Sequence, residues 1–480
     1  MIIRYTFVFY LLLIPVMAFS QQDQIEKFLS DSSMIHSSVS FCIADGVTGN
    51  IISQFNPQKS LTQASILKLI TTSIALEKLG KDYTFKTTIG YSGIFKKQTG
   101  TLEGDLIIKG GGDPALGSEN FPEFYNGFID KWIQDIKSLG IKKITGRIIA
   151  DDSYFDYQPV PVSWNWEDIG NYYGAGAYGL SVFDNTFNIH FKTGRKGSLP
   201  IITSVSPDNT GIELTNYLTA SGTEDNGYIF SVPYSTKGWM AGTIPENKED
   251  FILKGSIPDP PLFVAGTLYK KLADAGIRIA GNPVTARIIP ESERGDFTMI
   301  SEIISPPLSA IVDVLNHKSV NLYAEHLIKE LGKVFKNSGT TAAGIEVIKE
   351  FLNGARINTD GFFITDGSGL SPRDAINSAE MVKLLLYMKR NGRFFDDYLK
   401  SIPEAGKEGS LKNLFKDQVF ESRLWVKSGS MARVRSYAGY FITLSGKEMI
   451  FCFIVNNFNG SPGKVISGIE EIIKDEIIKN

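Results

Sequence analysis

The chain has 480 residues, of which 42% are hydrophobic and 21% charged, and a net charge of −3. This balance excludes a disordered chain, a collagen-like chain and a disulfide-stapled mini-protein, and the length suggests about three domains. The near-neutral charge gives no general attraction to nucleic acid or anionic membrane. Four histidines and two cysteines leave little material for a metal cluster, a His-centred triad or a Cys nucleophile, so neither metal nor cofactor is expected.

Arg4 precedes a continuous apolar run over residues 5–17, and Ala18-Phe19-Ser20 places small residues before Gln21. The pattern predicts an export signal over residues 1–20, cleaved near Ser20/Gln21, and hence a periplasmic or other extracytoplasmic location. No later run reaches about 18 apolar residues, so the mature chain is expected to be soluble.

Beyond the signal, a short helix is expected over 23–29. Strands over 39–44 and 50–55 are joined by the turn-rich Asp45-Gly46-Val47-Thr48-Gly49. Residues 65–79 form a mostly apolar helix stopped at Gly80. Strands at 87–91 and 105–108, a helix over 124–139 and a strand over 143–150 give a small α/β unit. The stretch 164–264 is rich in Gly, Asn, Thr and aromatics and reads as β-rich. A helix over 268–275 and strands near 279 and 286–289 resume the α/β pattern. Helices are expected at 308–315, 321–331 and 342–352, and strands at 423–427, 438–444 and 448–456. The last helix, 465–479, carries Ile466, Ile469, Ile472, Ile473 and Ile477 at helical spacing. That stripe is expected to pack on a sheet.

Three short motifs carry chemistry. Ser65-Ile66-Leu67-Lys68 puts a hydroxyl and an amine on one face of a helix start, where the local field favours an alkoxide. A neutral Lys68 can take the hydroxyl proton if burial or a second cation lowers its pKa. Ser319-Val320-Asn321 offers a hydroxyl for proton relay and an amide for a substrate carbonyl, just before an apolar helix. Lys427-Ser428-Gly429-Ser430 ends the strand expected at 423–427, where a cation and hydroxyl can meet a carboxylate. Each is common alone. Together and in this order they match the Ser-x-x-Lys, Ser-x-Asn and Lys-Thr-Gly set of serine β-lactamases and penicillin-binding proteins.

The chain resembles the low-molecular-mass class C penicillin-binding proteins, the D-alanyl-D-alanine carboxypeptidase/endopeptidase family. The resemblance extends to Gly110-Gly111-Gly112-Asp113-Pro114, Asp151-Asp152-Ser153-Tyr154-Phe155, Tyr172-Tyr173-Gly174-Ala175 with Asp184-Asn185, Asp366-Gly367-Ser368-Gly369-Leu370-Ser371 and Tyr437-Ala438-Gly439-Tyr440. It also extends to the long interval from Lys68 to Ser319. It implies an α/β fold: a serine β-lactamase/transpeptidase-like domain, an antiparallel sheet flanked by helices, formed by 21–84 and 303–480. A small α/β domain (85–163 and 265–302) is inserted in it, with a β-rich domain (164–264) nested within the insert.

The resemblance further implies an exported D,D-peptidase that cuts D-alanyl-D-alanine bonds of peptidoglycan stem peptides and is acylated by β-lactams. Ser65 is then the nucleophile, Lys68 its base, Ser319 and Lys427 the proton relay, and Asn321 the holder of the substrate amide. Ser428, Gly429 and Ser430 line the substrate, and Asp151 reads the free amine of the stem's third residue. Here Lys-Ser-Gly stands where Lys-Thr-Gly is usual, a change that keeps the hydroxyl. The competing readings are a β-lactamase or esterase on the same fold and a non-catalytic wall-binding scaffold. Membrane-surface association and oligomeric state stay open. Cys42 and Cys452 fall on strands that neighbour each other in the family sheet; two buried thiols are expected.

Overall fold

The computed structural model describes residues 19–479 apart from Asn209 and Arg294. Nearly all of the expected export signal therefore lies outside the described residues. The helix expected at 23–29 spans Phe19–Ser30.

A five-stranded antiparallel sheet organises the two ends of the chain. Its order is Leu424–Met431, Val434–Ile442, Glu448–Asn456, Ser38–Asp45 and Ile51–Phe55. The N-terminal hairpin thus completes a sheet begun by the last three strands. Successive side chains alternate between its faces. Phe41, Ile43, Phe451, Phe453 and Val455 pack with the terminal helix Pro462–Lys479. Cys42, Ala44, Ala438, Cys452 and Ile454 face the helical core built on Leu67–Leu79, Leu308–Lys318, Asn321–Lys336 and Ser378–Asn391. Cys42 and Cys452 are direct cross-strand partners, and both are buried free thiols. Burial pushes the Cys42 thiol up to about 11.

Between Leu67–Leu79 and Leu308–Lys318 the chain builds four further sheets. A five-stranded mixed sheet runs Val284–Thr285, Ile148–Asp151, Leu106–Lys109, Lys86–Tyr91 and Thr298–Ile304, and a four-stranded sheet lies with it. The helices Phe128–Ser138 and Pro260–Asp274 pack in the same core. Two three-stranded sheets follow in the β-rich stretch, centred on Thr186–Lys192 and Lys237–Ile244.

Several elements differ from expectation. The strand expected to end at 427 runs on to Met431, so Lys427-Ser428-Gly429-Ser430 lies inside a paired strand. The helix expected over 124–139 is broken before Phe128, because Gly127 takes a left-handed conformation (φ 70°). Residues 143–150 split into Lys143–Ile144 and Ile148–Asp151. Residues 286–288 form a 3₁₀ turn instead of a strand. The helix expected at 268–275 is the second half of Pro260–Asp274, whose start is capped by Asp259 and preset by two prolines. Ser378–Asn391, capped by Asn377, has no counterpart among the expected elements.

Candidate active site

The three motifs converge between the helical core and the first strand of the main sheet. Ser65 sits in a single 3₁₀ turn, Ala64–Ile66, that leads into Leu67–Leu79. Ala64 before it has φ 49°, a left-handed conformation that costs a non-glycine residue about 1–3 kcal/mol and is concentrated at functional sites. Lys68, one turn on, is fully buried. Its Nζ donates to Ser65 Oγ at 2.9 Å, Asn321 Oδ1 at 2.6 Å and Ser368 O at 2.7 Å. Three acceptors fill the three donor directions of an ammonium.

Ser319 closes the helix Leu308–Lys318 in a left-handed conformation (φ 56°), and Asn321 opens the next helix. That sharp turn presents both side chains to one space. Lys427 is buried and donates to Ser319 Oγ at 2.9 Å and to the Ser428 carbonyl at 3.0 Å. Two Ser–Lys pairs therefore face each other, Ser65 with Lys68 and Ser319 with Lys427. Asn321 is fixed at both ends: its oxygen accepts from Lys68 and its Nδ2 donates to the Tyr173 carbonyl at 2.8 Å.

Gly429 explains why the third motif needs a residue without a side chain. A Cβ there would stand 2.2 Å from Ser436 Oγ, 2.6 Å from Gln63 O and 3.0 Å from Ser65 N. The strand is thus pressed directly against the backbone of Ser65. Ser436 Oγ bonds Gln63 O at 2.5 Å and ties the second strand to the same turn. The Ser428 hydroxyl meets Ser410 at 2.9 Å, and Ser430 is exposed. Asp151 stands apart from these contacts. It ends the strand Ile148–Asp151, and its carboxylate accepts from the Ser153 amide at 3.1 Å and hydroxyl at 2.6 Å.

The electrostatics bring the neutral amine of Lys68 within reach near neutral pH. Burial lowers its pKa to about 7, while the acids Asp366 and Glu325 pull it back up. Burial, then the nearby Lys68 charge, holds Lys427 well below the usual lysine range. Two buried amines this close resist being charged together.

Several residues of this network lie outside the three catalytic motifs. Asp366 accepts from the Ser368, Gly369 and Ser371 amides at 3.1, 2.6 and 2.8 Å and from the Trp164 indole at 2.8 Å. It thereby shapes the loop whose Ser368 carbonyl touches Lys68. Glu325, one turn after Asn321, accepts from the Gly367 amide at 3.0 Å. Burial, then Asp366, pushes Glu325 up to about 8, and burial with Asp366 likewise raises Asp374. Gly369 has φ 78°, and a Cβ there would strike the Ala64 carbonyl at 2.0 Å. The segment 366–371 of the family resemblance therefore lines the site. Spacing does point to Glu325, which lies four residues after Asn321 on one helix face. Tyr173 falls in the Tyr172-Tyr173-Gly174-Ala175 segment of the family resemblance, and nothing local points to Trp164.

What this arrangement can do is activate one hydroxyl with an adjacent uncharged amine and pass a proton through a second hydroxyl. Among the described residues no group of His, Cys, Asp and Glu side chains is arranged to hold a metal ion.

Known proteins are similar to this chain. A D-alanyl-D-alanine carboxypeptidase from Actinomadura sp. is 26% identical over 92% of this chain and 81% of its own length. The D-alanyl-D-alanine carboxypeptidase DacB of Haemophilus influenzae is 23% identical over 87% of this chain and 85% of its own. The crystal structure of penicillin binding protein 4 from H. influenzae superposes with a TM-score of 0.81 at 18% identity, covering 95% of this chain and 99% of that one. That likeness shows the fold, a mixed α/β architecture with a penicillin-binding-protein core. The model of the D-Ala-D-Ala carboxypeptidase 3 (S13) family matches residues 21–473, and the chain belongs to that family.

Proposed function

We propose that this protein is an exported serine D,D-peptidase, acting on D-alanyl-D-alanine bonds of peptidoglycan stem peptides as carboxypeptidase, endopeptidase or both. The observation that carries this reading is the contact of Lys68 Nζ with Ser65 Oγ at 2.9 Å, in a buried setting that lowers the amine's proton affinity. Ser65 Oγ attacks the carbonyl carbon between the two D-alanines while its proton passes to Lys68. The oxyanion is held by the backbone N–H groups of Ser65 and Ser430. The C–N bond then breaks, and the leaving amine takes a proton through Ser319, with Lys427 supporting the charge. Water attacks the acyl-enzyme, returns its proton to the site and frees Ser65.

Asn321 holds the substrate amide, and Lys427 and Ser428 meet the terminal carboxylate. Gly429 allows the strand to approach, so an extended peptide can lie along its edge. Asp151 reads the free amine of the stem's third residue. β-Lactams acylate the same Ser65 and leave slowly. The catalytic domain comprises 21–84 and 303–480, the inserted α/β domain 85–163 and 265–302, and the nested β-rich domain 164–264.

The test is incubation of the purified protein with muropeptides carrying a pentapeptide stem. Release of D-alanine by the wild type and none by Ser65→Ala is expected. Binding without release would instead identify a scaffold, and rapid turnover of penicillin a β-lactamase.

A further inference from the structure

The β-rich stretch displays aromatic rings to solvent. Trp166 is 55% exposed, Tyr172 54%, Trp239 38% and Tyr228 37%. Trp166, Trp239 and Tyr228 form one cluster around Phe230. Trp239 stacks on Phe230 with centroids 5.4 Å apart and planes at 15°, Trp166 lies 5.9 Å from Trp239, and Tyr228 lies 6.3 Å from Phe230. The other end reaches the catalytic cleft. Tyr172 meets Tyr173 edge-on at 5.3 Å, the Tyr173 phenol bonds Asp168, Asn171 just before them accepts from the amide of Ile229, next to Tyr228, and the Tyr173 carbonyl accepts from Asn321. The backbone under these rings is pinned. Asn171 Nδ2 donates to Glu167 O at 2.6 Å, and Ile229 N donates to Asn171 Oδ1 at 3.1 Å.

A contiguous exposed apolar patch on a folded protein marks an interaction site. Flat ring faces suit a ligand with flat C–H faces, and the exposed Glu167 and half-buried Asp168 beside them suit its hydroxyl edges. A sugar ring has both. The carboxylates oppose an anionic occupant such as an acidic lipid surface. The track also runs directly from the site that takes the stem peptide, and the stem peptide is attached to sugar.

We propose that the aromatic track from Tyr172 to Trp166 is a glycan-binding site, which holds sugar rings of the polymer whose stem peptide enters the Ser65 cleft. This deepens the D,D-peptidase reading and rests on it for the identity of the polymer. Anchoring the glycan raises the effective concentration of attached stems, so the site acts on KM for polymer and leaves short peptides alone.

The test compares the wild type with the double variants Trp166→Ala/Trp239→Ala and Trp166→Phe/Trp239→Phe. Binding of peptide-free glycan chains and of a β-1,4-linked N-acetylglucosamine hexamer is read by calorimetry. Hydrolysis is read on intact sacculi and on a sugar-free pentapeptide. The wild type is expected to bind the sugars, the Ala pair to weaken binding on the order of 10-fold, and the Phe pair to keep it. The Ala pair should raise KM on sacculi on the order of 10-fold, with kcat and the pentapeptide reaction within about 2-fold of wild type. Wild type that binds anionic lipid vesicles but no sugar overturns the proposal, as does equal loss on both substrates. If the wild type cleaves neither substrate, the peptidase reading fails, and the sugar titration still decides the binding site by itself.

Discussion

Replacing Gly429 by alanine tests whether the strand Leu424–Met431 acts by direct pressure on the turn that holds Ser65. The new Cβ would lie 2.2 Å from Ser436 Oγ, 2.6 Å from Gln63 O and 3.0 Å from Ser65 N. Ser436 can rotate away only by giving up its bond to Gln63 O. The other two neighbours are backbone atoms of the turn that holds Ser65 and cannot rotate. Restoring ordinary contact therefore needs the strand and the turn to separate by something approaching 1 Å. A misplacement of about 1 Å in a catalytic constellation costs roughly 100-fold in rate, and overpacking a tight site costs about 1–3 kcal/mol of stability. The assay is the second-order rate constant for acylation by a fluorescent penicillin, with urea unfolding measured in parallel. A folded Gly429→Ala protein that acylates within a few-fold of wild type would refute the reasoning, because the strand would then not need to touch the Ser65 turn.

Two further predictions concern protons. The acylation rate is expected to rise with pH through a midpoint near 7, as Lys68 loses its proton. Asp366 favours charged Lys68, so Asp366→Asn should move that midpoint to lower pH; an unchanged or higher midpoint in a stopped-flow pH series contradicts this. His326 is buried neutral, with Nδ1 donating to Gly112 O and Nε2 accepting from Ser181, and burial lowers its pKa to about 3. The unfolded chain then binds the proton first, so this contribution is complete above about pH 6.5 and is lost as the pH falls toward 3. Between pH 7 and 5 the loss is about 2 kcal/mol, and His326→Gln should show a pH 7-to-5 stability difference smaller by that amount in urea unfolding. Equal differences in the two proteins would contradict it.

The main sheet and the three motifs are legible in the sequence because their signals are local. Residues 448–456 alternate between two apolar faces, and Ser65 and Lys68 stand one helical turn apart. The strand end at 427 misleads because Gly429-Ser430 has the composition of a turn, whereas the glycine is there to admit the Ser65 backbone. The helix Ser378–Asn391 follows a segment dense in Gly, Ser and Pro, and Lys383 and Lys389 interrupt its apolar pattern. The rest of the site is set by tertiary contact. Trp164 reaches Asp366, and Tyr173 reaches Asn321, across separations of 202 and 148 residues that no spacing rule spans. The scarcity of histidine likewise reads differently once folded. The ring nitrogens of His326 bond Gly112 and Ser181, so it joins the helix Asn321–Lys336 to both.

Acylation of Ser65 is tested most directly by the intact mass of the protein after incubation with benzylpenicillin. Wild type is expected to gain the mass of one inhibitor, located by fragmentation on the peptide that holds Ser65, and Ser65→Ala is expected to gain none. Undiminished labelling of Ser65→Ala, or label on another residue of the wild type, would contradict the assignment of Ser65 as the nucleophile.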